Sequence, residues 1–349
     1  MNSTPSECVS VQILADGYIF KAVLVFKTCM NLIGCGLLVV DYVLAKKSSR
    51  PITFHQNANV VCHFMRISLF VLCLSYSSIA VYDYYRLSMH VISPCDHLAN
   101  NSAVVVLRFI TTTTTVAHVI SLIVLALERI LCTVCIVGYE SASSPWITGF
   151  SLFGITTVYS LTANYFTLVH AVDPNRKLVF SSTRNSQNLI AYSAYSYSLL
   201  FSELFIIFVF LIIKKWNKYL HKLYRVKQGV YKQQQSRLLS IKFQINETIN
   251  LMNVYAPIVI GQFIVFGIAI LGGLFVPTLD GKISYEAYSA LNEAVFIHTW
   301  SAHVFALIRF YKLRNYTRKV GAIVEEGGCE NTDDYFKRQM NTFNAPNKT

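Results

Sequence analysis

Seven stretches of predominantly apolar residues divide the chain, and each is long enough to cross a lipid bilayer as a helix. A spanning helix needs about 20 apolar residues, and it must be helical because hydrocarbon offers the backbone no other hydrogen-bond partners. The pattern predicts spans at 20–45, 57–82, 103–128, 146–169, 188–213, 249–276 and 286–308. We therefore expect an all-α, polytopic membrane protein whose seven-helix bundle occupies residues 1–309.

The longest polar stretches lie at 214–248 and in a tail at 310–349. The first is rich in Lys and Arg, so it either contacts anionic lipid as a loop or forms helical extensions that receive a partner. In the tail, Phe310, Leu313, Thr317 and Val320 recur at three- and four-residue spacing with basic residues between them. That spacing predicts a short amphipathic helix lying on the inner leaflet at the start of the tail.

The distribution of Lys and Arg predicts the orientation of the bundle. The stretches on one side, including the N-terminus, hold five of these residues, whereas those on the other side hold twenty-one. Because cytoplasmic loops carry the excess of positive charge, we expect the N-terminus outside and the C-terminus in the cytoplasm. No Lys or Arg precedes Lys21, so we expect the first span, rather than a cleaved leader, to direct insertion.

Composition agrees with a membrane protein and disfavours two other classes. The chain is 54% hydrophobic and 14% charged, whereas a soluble domain carries about a quarter charged residues. The net charge of +12 lies between apolar runs, so it indicates topology rather than nucleic-acid binding. Catalytic and nucleotide-binding motifs are absent, and we expect no enzyme activity, metal or cofactor. Cys132 and Cys135 form a lone C-x-x-C, which we interpret as helix packing.

Two kinds of covalent modification are possible on the predicted outer side. Cys8 and Cys95 are the cysteines expected there, and they either form a disulfide or remain two free thiols. Asn2 and Asn100 begin sequons that face outward and are candidates for glycosylation.

Ionisable residues inside the spans are the first candidates for function, because burying a charge in a bilayer is costly. Arg66 lies about 13 Å into the second span, so we expect it inside the bundle with a carboxylate or carbonyl partner, in a functional or a structural role. Arg108, near the outer surface, anchors the floor of a pocket or pairs with Asp83 or Glu293. His118 is interpreted as a helix contact rather than a metal ligand.

Aromatic residues cluster where the fifth span begins. Tyr192, Tyr195 and Tyr197 fit either an interfacial aromatic belt or the wall of a pocket. Glu293 lies toward the same side in the seventh span. A ligand pocket would therefore contain Arg108, Tyr192, Tyr195 and Glu293.

The third span ends on the acidic and basic pair Glu128-Arg129, where the helix leaves the membrane. In a receptor, this pair would form an ionic lock or part of the floor on which an intracellular partner docks. The alternative is that Arg129 only extends its side chain to the lipid headgroups. The residues alone do not separate the two interpretations.

Three stretches together resemble a known family. Phe54-His55-Gln56-Asn57 enters the second span, Glu128-Arg129-Ile130-Leu131-Cys132-Thr133 precedes Tyr139-Glu140, and Lys242-Phe243-Gln244-Ile245-Asn246-Glu247 precedes the sixth span. They are similar to the F-H-x-N, E-R-x-x-A-T…Y-E and R/K-[FY]-Q-x-x-E-N patterns of nematode serpentine chemoreceptors of the Sra superfamily, closest to class Srab and next to Sre. Cys132 replaces the family's alanine, and the late E-N is reversed or shifted to Asn246-Glu247.

The resemblance, from about residue 20 to 310, implies a G-protein-coupled receptor for a small chemical ligand in the plasma membrane of sensory cells. A heterotrimeric G protein would then couple at Glu128, Arg129, Tyr139 and Glu140. Two alternatives remain: a channel or transporter with a polar pathway through Arg66, His118 and Glu203, and a membrane scaffold. A polar file running from face to face would favour transport, whereas a closed half below a cavity would favour a receptor.

Overall fold

The computed structural model describes residues 5–47, 56–135, 144–169, 177–181, 189–227, 235–295 and 297–312. Four predictions fall outside these residues and stay predictions: the amphipathic helix with the tail beyond 312, the sequon at Asn2, and the coupling residues Tyr139 and Glu140.

The described chain is almost entirely helical. The helices are α1 Pro5–Asp16, α2 Tyr18–Lys47, α3 Gln56–Ser88, α4 Asn101–Val134, α5 Pro145–Asn164, α6 Leu189–Lys227, α7 Gln235–Phe275, α8 Tyr285–Val295 and α9 at 300–312. Short 3-10 turns lie at Pro94–His97 and Val276–Leu279, and a π turn at Tyr165–Val169 extends α5. Two-residue strands, β1 Ala99–Asn100 and β2 Lys177–Leu178, pair antiparallel.

Six described helices, α2 to α7, are long and apolar enough to cross a membrane, and each coincides with most of one of the first six predicted spans. The helices extend past the predicted edges because a helix continues into water once its apolar segment is buried. Of the two interpretations of 214–248, a loop or helical extensions, the structure has the helical extensions. Helix α6 continues to Lys227 and α7 begins at Gln235, so most of that stretch is helix.

The seventh span is discontinuous, which corrects the prediction of one helix at 286–308. Helix α8 ends at Val295 and α9 begins at residue 300. Contacts with α2 show that the two halves together run the length of the bundle: Glu293 of α8 contacts Lys27, and Arg309 of α9 contacts Asp41. Lys27 and Asp41 are fourteen residues apart, which corresponds to about 21 Å of helix.

The N-terminal segment is a packed helix rather than part of a polar outer stretch. Val11 and Leu14 of α1 are fully buried, in a cluster that includes Phe20 and Leu24 of α2. Their three-residue spacing is the signal of a helix with one apolar face. A disulfide joins Cys8 of α1 to Cys95 in the turn that follows α3.

The main hydrophobic core occupies the middle of the bundle and continues toward one of its two ends. It contains Leu69 of α3, Leu125 of α4, Phe210 of α6, Tyr255 of α7 and Phe305 of α9. We call the end that carries Cys8 and Cys95 the disulfide end, and the end that carries Glu128 and Arg129 the Arg129 end. These names say nothing of which end faces outside the cell.

Candidate functional site

A cavity of about 70 Å³ lies toward the disulfide end of the bundle. Arg108 of α4, Tyr192 and Tyr195 of α6, Phe266 of α7, and His298 between α8 and α9 all line it. Three of the four predicted pocket residues, Arg108, Tyr192 and Tyr195, thus line the same cavity. The break in the seventh span brings His298 to the cavity, 4.7 Å from Phe266 between ring centroids.

The walls offer aromatic faces and one hydroxyl without a partner. Tyr192 and Tyr195 pack edge to face with ring centroids 6.4 Å apart, a favourable aromatic geometry. The Tyr195 hydroxyl is buried and has no hydrogen-bond partner among the described residues. Since a buried hydroxyl without a partner is costly, this group is suited to a ligand's polar atom.

Arg108 is held by a buried charge network. Its Nη2 lies 3.4 Å from Glu293 Oε1, and the other oxygen of Glu293 lies 2.5 Å from Lys27 Nζ. Lys27 also lies 5.0 Å from the centroid of the Tyr76 ring. Two cations therefore share one carboxylate, and Glu293 stands behind Arg108 rather than lining the cavity itself.

The same network holds Val179 and Ser181, in the segment between α5 and α6, at the disulfide end of the bundle. Arg108 Nε donates to the Ser181 carbonyl at 2.8 Å, and Ser181 Oγ donates to Asp83 at 2.8 Å. Asp83 also accepts from Arg86, which reaches the Val179 carbonyl at 3.0 Å. The 170–187 stretch has no cysteine. Charged side chains, rather than a disulfide, hold its described part.

Below the cavity, apolar side chains separate it from the Arg129 end. Leu122 and Leu125 of α4, Phe210 of α6 and Ile258 of α7 belong to one buried cluster. His118 is buried and lies beside Gln262 of α7. The described residues therefore place no continuous polar file between the cavity and Arg129.

No described hydrogen bond or ion pair joins Arg66, His118 and Glu203, the three residues proposed for a transport pathway. Glu203 is fully buried, and its oxygens lack hydrogen-bond partners in the described part of the chain. Arg66 instead contacts Asp41 of α2 at 3.0 Å, and Asp41 also accepts from Arg309 of α9 at 2.5 Å. These contacts tie three helices together near the Arg129 end.

The last turns of α4, which contain Glu128 and Arg129, contact side chains of α6 and α7. Arg129 is fully buried and forms two hydrogen bonds to the Glu128 carboxylate. Its Nη1 lies 3.4 Å from Glu247 Oε1 of α7. Thr133, one turn later, accepts a hydrogen bond from Asn217 of α6 at 2.9 Å. Arg129 therefore points into the bundle and does not extend to the headgroups.

The sequence left several of these residues unassigned. Lys27, Asp41 and Arg309 have no role in the predictions made from the sequence. Opposite charges inside apolar stretches were the available signal, since each such charge needs a partner. Glu247 lies in Asn246-Glu247, where the sequence departs from the family's E-N pattern. The pattern therefore did not predict the contact of Glu247 with Arg129. Nothing in the sequence pointed to the Ser181 carbonyl.

The candidate modification sites within the described residues, Asn100 and the pair Cys8 and Cys95, lie at the disulfide end. Asn100 is exposed, and its side-chain oxygen accepts from Ser102 N at 3.0 Å as the N-cap of α4. Cys8 and Cys95 are the disulfide-bonded cysteines of the described chain.

Comparison with known proteins identifies one family. Residues 5–344 match the model of the serpentine type 7TM GPCR receptor class ab chemoreceptors. No curated protein matches the chain.

Proposed function

The chain belongs to the class ab serpentine chemoreceptors, a family of seven-transmembrane receptors of the G-protein-coupled type, and from this membership we propose that it binds a small chemical in the cavity beside Arg108 and signals through a heterotrimeric G protein. The observation that carries the proposal is the buried hydroxyl of Tyr195, a residue that lines this cavity, which has no protein partner among the described residues.

The walls of the cavity favour a particular ligand chemistry. Arg108 and the Tyr195 hydroxyl supply hydrogen-bond donors, so the ligand carries an acceptor such as a carbonyl or a carboxylate. Tyr192 and Phe266 supply aromatic faces for an apolar or flat body. The volume of about 70 Å³ favours a ligand of few heavy atoms.

The receptor is an integral, multi-pass membrane protein, and we place its disulfide end outside the cell on the basis of the Lys and Arg distribution. The plasma membrane of a sensory cell follows from the family as part of the same proposal. In this orientation the cavity is reached from outside, and the long ends of α6 and α7 extend into the cytoplasm.

Signalling requires that the ligand shift an equilibrium between two helix arrangements. Ligand contacts at α4, α6 and α7 favour one arrangement, and the Arg129–Glu247 contact between α4 and α7 favours the other. We propose that loosening this contact admits the G protein between α4, α6 and α7. Tyr139 and Glu140 keep their predicted part in that docking surface.

The first experiment expresses the receptor in a heterologous cell with a G-protein reporter and a panel of volatile and water-soluble chemicals. Arg129→Ala is expected to abolish the response to any active chemical while the receptor still reaches the cell surface. A mutant that signals normally would remove Arg129 from the coupling role.

Tyr195→Phe tests the cavity with the loss of a single hydroxyl. Losing one hydrogen bond of about 1.5 kcal/mol is expected to lower ligand potency roughly tenfold. Tyr219→Phe is the matched control, because Tyr219 is exposed on the same helix and does not line the cavity. Equal potency in the two variants would contradict a ligand contact at Tyr195.

A further inference from the structure

A second cavity, of about 260 Å³, lies between α2 and the broken seventh span. It is lined by Lys27 and Asn31 of α2, Glu293 of α8, and Ile297 and Thr299 in the break. Because adjacent residues of an irregular segment point to different sides, His298 faces the first cavity while its two neighbours face this one. The two cavities are separate spaces on either side of the Glu293 carboxylate.

Asn31 is the feature that marks this cavity as a binding site. Its side chain is fully buried, and neither its oxygen nor its nitrogen has a hydrogen-bond partner among the described residues. A buried amide with both groups unsatisfied is costly in a low-dielectric environment. Since Asn31 lines the cavity, a ligand with a hydrogen-bond acceptor located there could accept from its side-chain NH2 group.

The charges around the cavity favour an anionic group. Lys27 and Arg108 share the single carboxylate of Glu293, so this cluster carries a net positive charge. The next carboxylate in the network, Asp83, is itself contacted by Arg86. Lys27 lies four residues before Asn31, so both side chains are on one face of α2. A carboxylate beside them offsets the excess charge and accepts from the Asn31 amide.

Part of the cavity lining is apolar and reaches the surface of the bundle. Phe26 and Trp300 line it, and their side chains are 58% and 38% exposed. Both residues lie within membrane-spanning segments, so the surface they reach faces lipid acyl chains rather than water. An occupant therefore enters from the bilayer and carries an apolar chain.

From these features we propose that the cavity between α2 and the broken seventh span binds a fatty acid. The carboxylate lies against Lys27 and accepts a hydrogen bond from the Asn31 side-chain amide. The aliphatic chain passes Phe26 and Trp300 into the bilayer. Glu293 contacts Lys27, which lines this cavity, and Arg108, which lines the first cavity. Binding of the acid beside Lys27 is therefore expected to change the position of Arg108.

The test uses the fluorescence of Trp300 in the full-length receptor, reconstituted in lipid nanodiscs. The chain has three tryptophans, and replacing the other two, as Trp146→Phe and Trp216→Phe, leaves Trp300 as the reporter. A fatty acid carrying bromine on its chain is the quencher, and the alcohol with the same brominated chain is the comparison. Specific binding appears as a saturable component of quenching above the linear effect of partitioning into the bilayer.

Asn31→Leu, made in the same background, is expected to raise the half-saturating concentration of the acid about tenfold or more. The brominated alcohol is expected to show the linear component only, because it lacks the charge. Gln262→Leu is the matched control, since Gln262 is a buried amide that lies away from this cavity. It is expected to bind the acid normally.

A second variant keeps the test decisive if Asn31→Leu does not fold. Ala294 lines the cavity, and Ala294→Phe fills it while all the charges stay in place. Loss of the saturable component in this variant supports the site. Purely linear quenching in the unmodified cavity, or saturable quenching unchanged by both variants, overturns it. The assay involves no signalling, so its result does not depend on whether the proposed receptor function holds.

Discussion

At the residue scale, Arg129 is a fully buried cation between two carboxylates from different helices. Glu128 is its neighbour on α4, so that contact persists in any arrangement of the bundle. Glu247 belongs to α7, so the contact at 3.4 Å exists only while the two helices lie together. The second carboxylate is therefore the one that distinguishes two helix arrangements.

Glu247→Gln is expected to raise signalling in the absence of ligand. Removing the charge weakens the contact between α4 and α7 by about 1 kcal/mol, which increases the active fraction roughly fivefold. The G-protein reporter measures this basal signal, normalised to receptor at the cell surface. Asn246→Gln, at the exposed neighbouring position, is the control and should leave the basal signal unchanged. An unchanged basal signal in Glu247→Gln would show that the Arg129–Glu247 contact does not stabilise the resting state.

Glu293 holds two cations, and its loss is expected to destabilise the protein strongly. Glu293→Gln leaves Lys27 and Arg108 buried without their shared carboxylate, a change that costs about 3–5 kcal/mol. The measurement is the midpoint of thermal unfolding of the detergent-solubilised receptor. Adding Lys27→Met to the same chain should restore part of the loss, because one uncompensated charge is removed. No recovery in the double variant would argue against the shared-carboxylate role.

At the element scale, the junction of α1 and α2 shows how one helix is capped by another. The first amides of α2 donate to Glu286 of α8, from Ile19 N at 2.6 Å and Phe20 N at 3.3 Å. A carboxylate there satisfies amides that the helix leaves unpaired and faces the positive end of its dipole. Gly17 permits the approach, since a Cβ at that position would lie 2.3 Å from Glu286 Oε1.

Gly17→Ala is expected to displace Glu286 and to cost about 1–2 kcal/mol, the usual value of a lost helix cap. Gly36→Ala is a close control, because it lies in α2 and its Cβ would meet nothing within 4 Å. Thermal unfolding of both variants should show a loss for Gly17→Ala only. Equal midpoints would mean that Glu286 moves aside without penalty.

The break in the seventh span is tolerated because the protein surrounds it. An interrupted helix frees backbone groups that lipid cannot satisfy, so such breaks occur where protein or a cavity covers them. Here the Thr299 carbonyl faces the Cys73 thiol at 3.9 Å, and Trp300 N donates to the Ile297 carbonyl at 2.8 Å. The same break supplies His298 to one cavity and Thr299 to the other.

At the scale of the whole molecule, the two ends of the bundle are tied by different means. Covalent and ionic contacts fix α1 and the segment before α6 at the disulfide end, through Cys8–Cys95 and the Ser181 contacts. At the Arg129 end, ionic contacts without a disulfide join the helices, through Arg66–Asp41–Arg309 and Arg129–Glu247, and α6 and α7 extend as long helices. Ionic contacts between helices can be exchanged when the helices move, whereas a disulfide persists.

The orientation can be tested at Asn100. If the disulfide end faces outside, Asn100 passes through the secretory lumen and is glycosylated, and Asn100→Gln is expected to remove a glycosidase-sensitive mass shift on a gel. Asn315→Gln is the control, because its sequon lies on the predicted cytoplasmic side. A shift that disappears with Asn315→Gln and survives Asn100→Gln would reverse the assigned orientation.

The sequence by itself determined that the chain is a helical membrane bundle of the serpentine class ab family, and the match over residues 5–344 confirms that resemblance. Apolar length decides where a helix crosses a bilayer, and this property is local. The predicted sites remain predictions, although Arg108, Tyr192 and Tyr195 line one cavity. Only the tertiary structure decided which charges meet, such as Glu293 with Lys27 and Arg108, because those partners lie far apart along the chain. It also decided where the seventh span breaks, since that interruption depends on neighbouring helices covering the backbone.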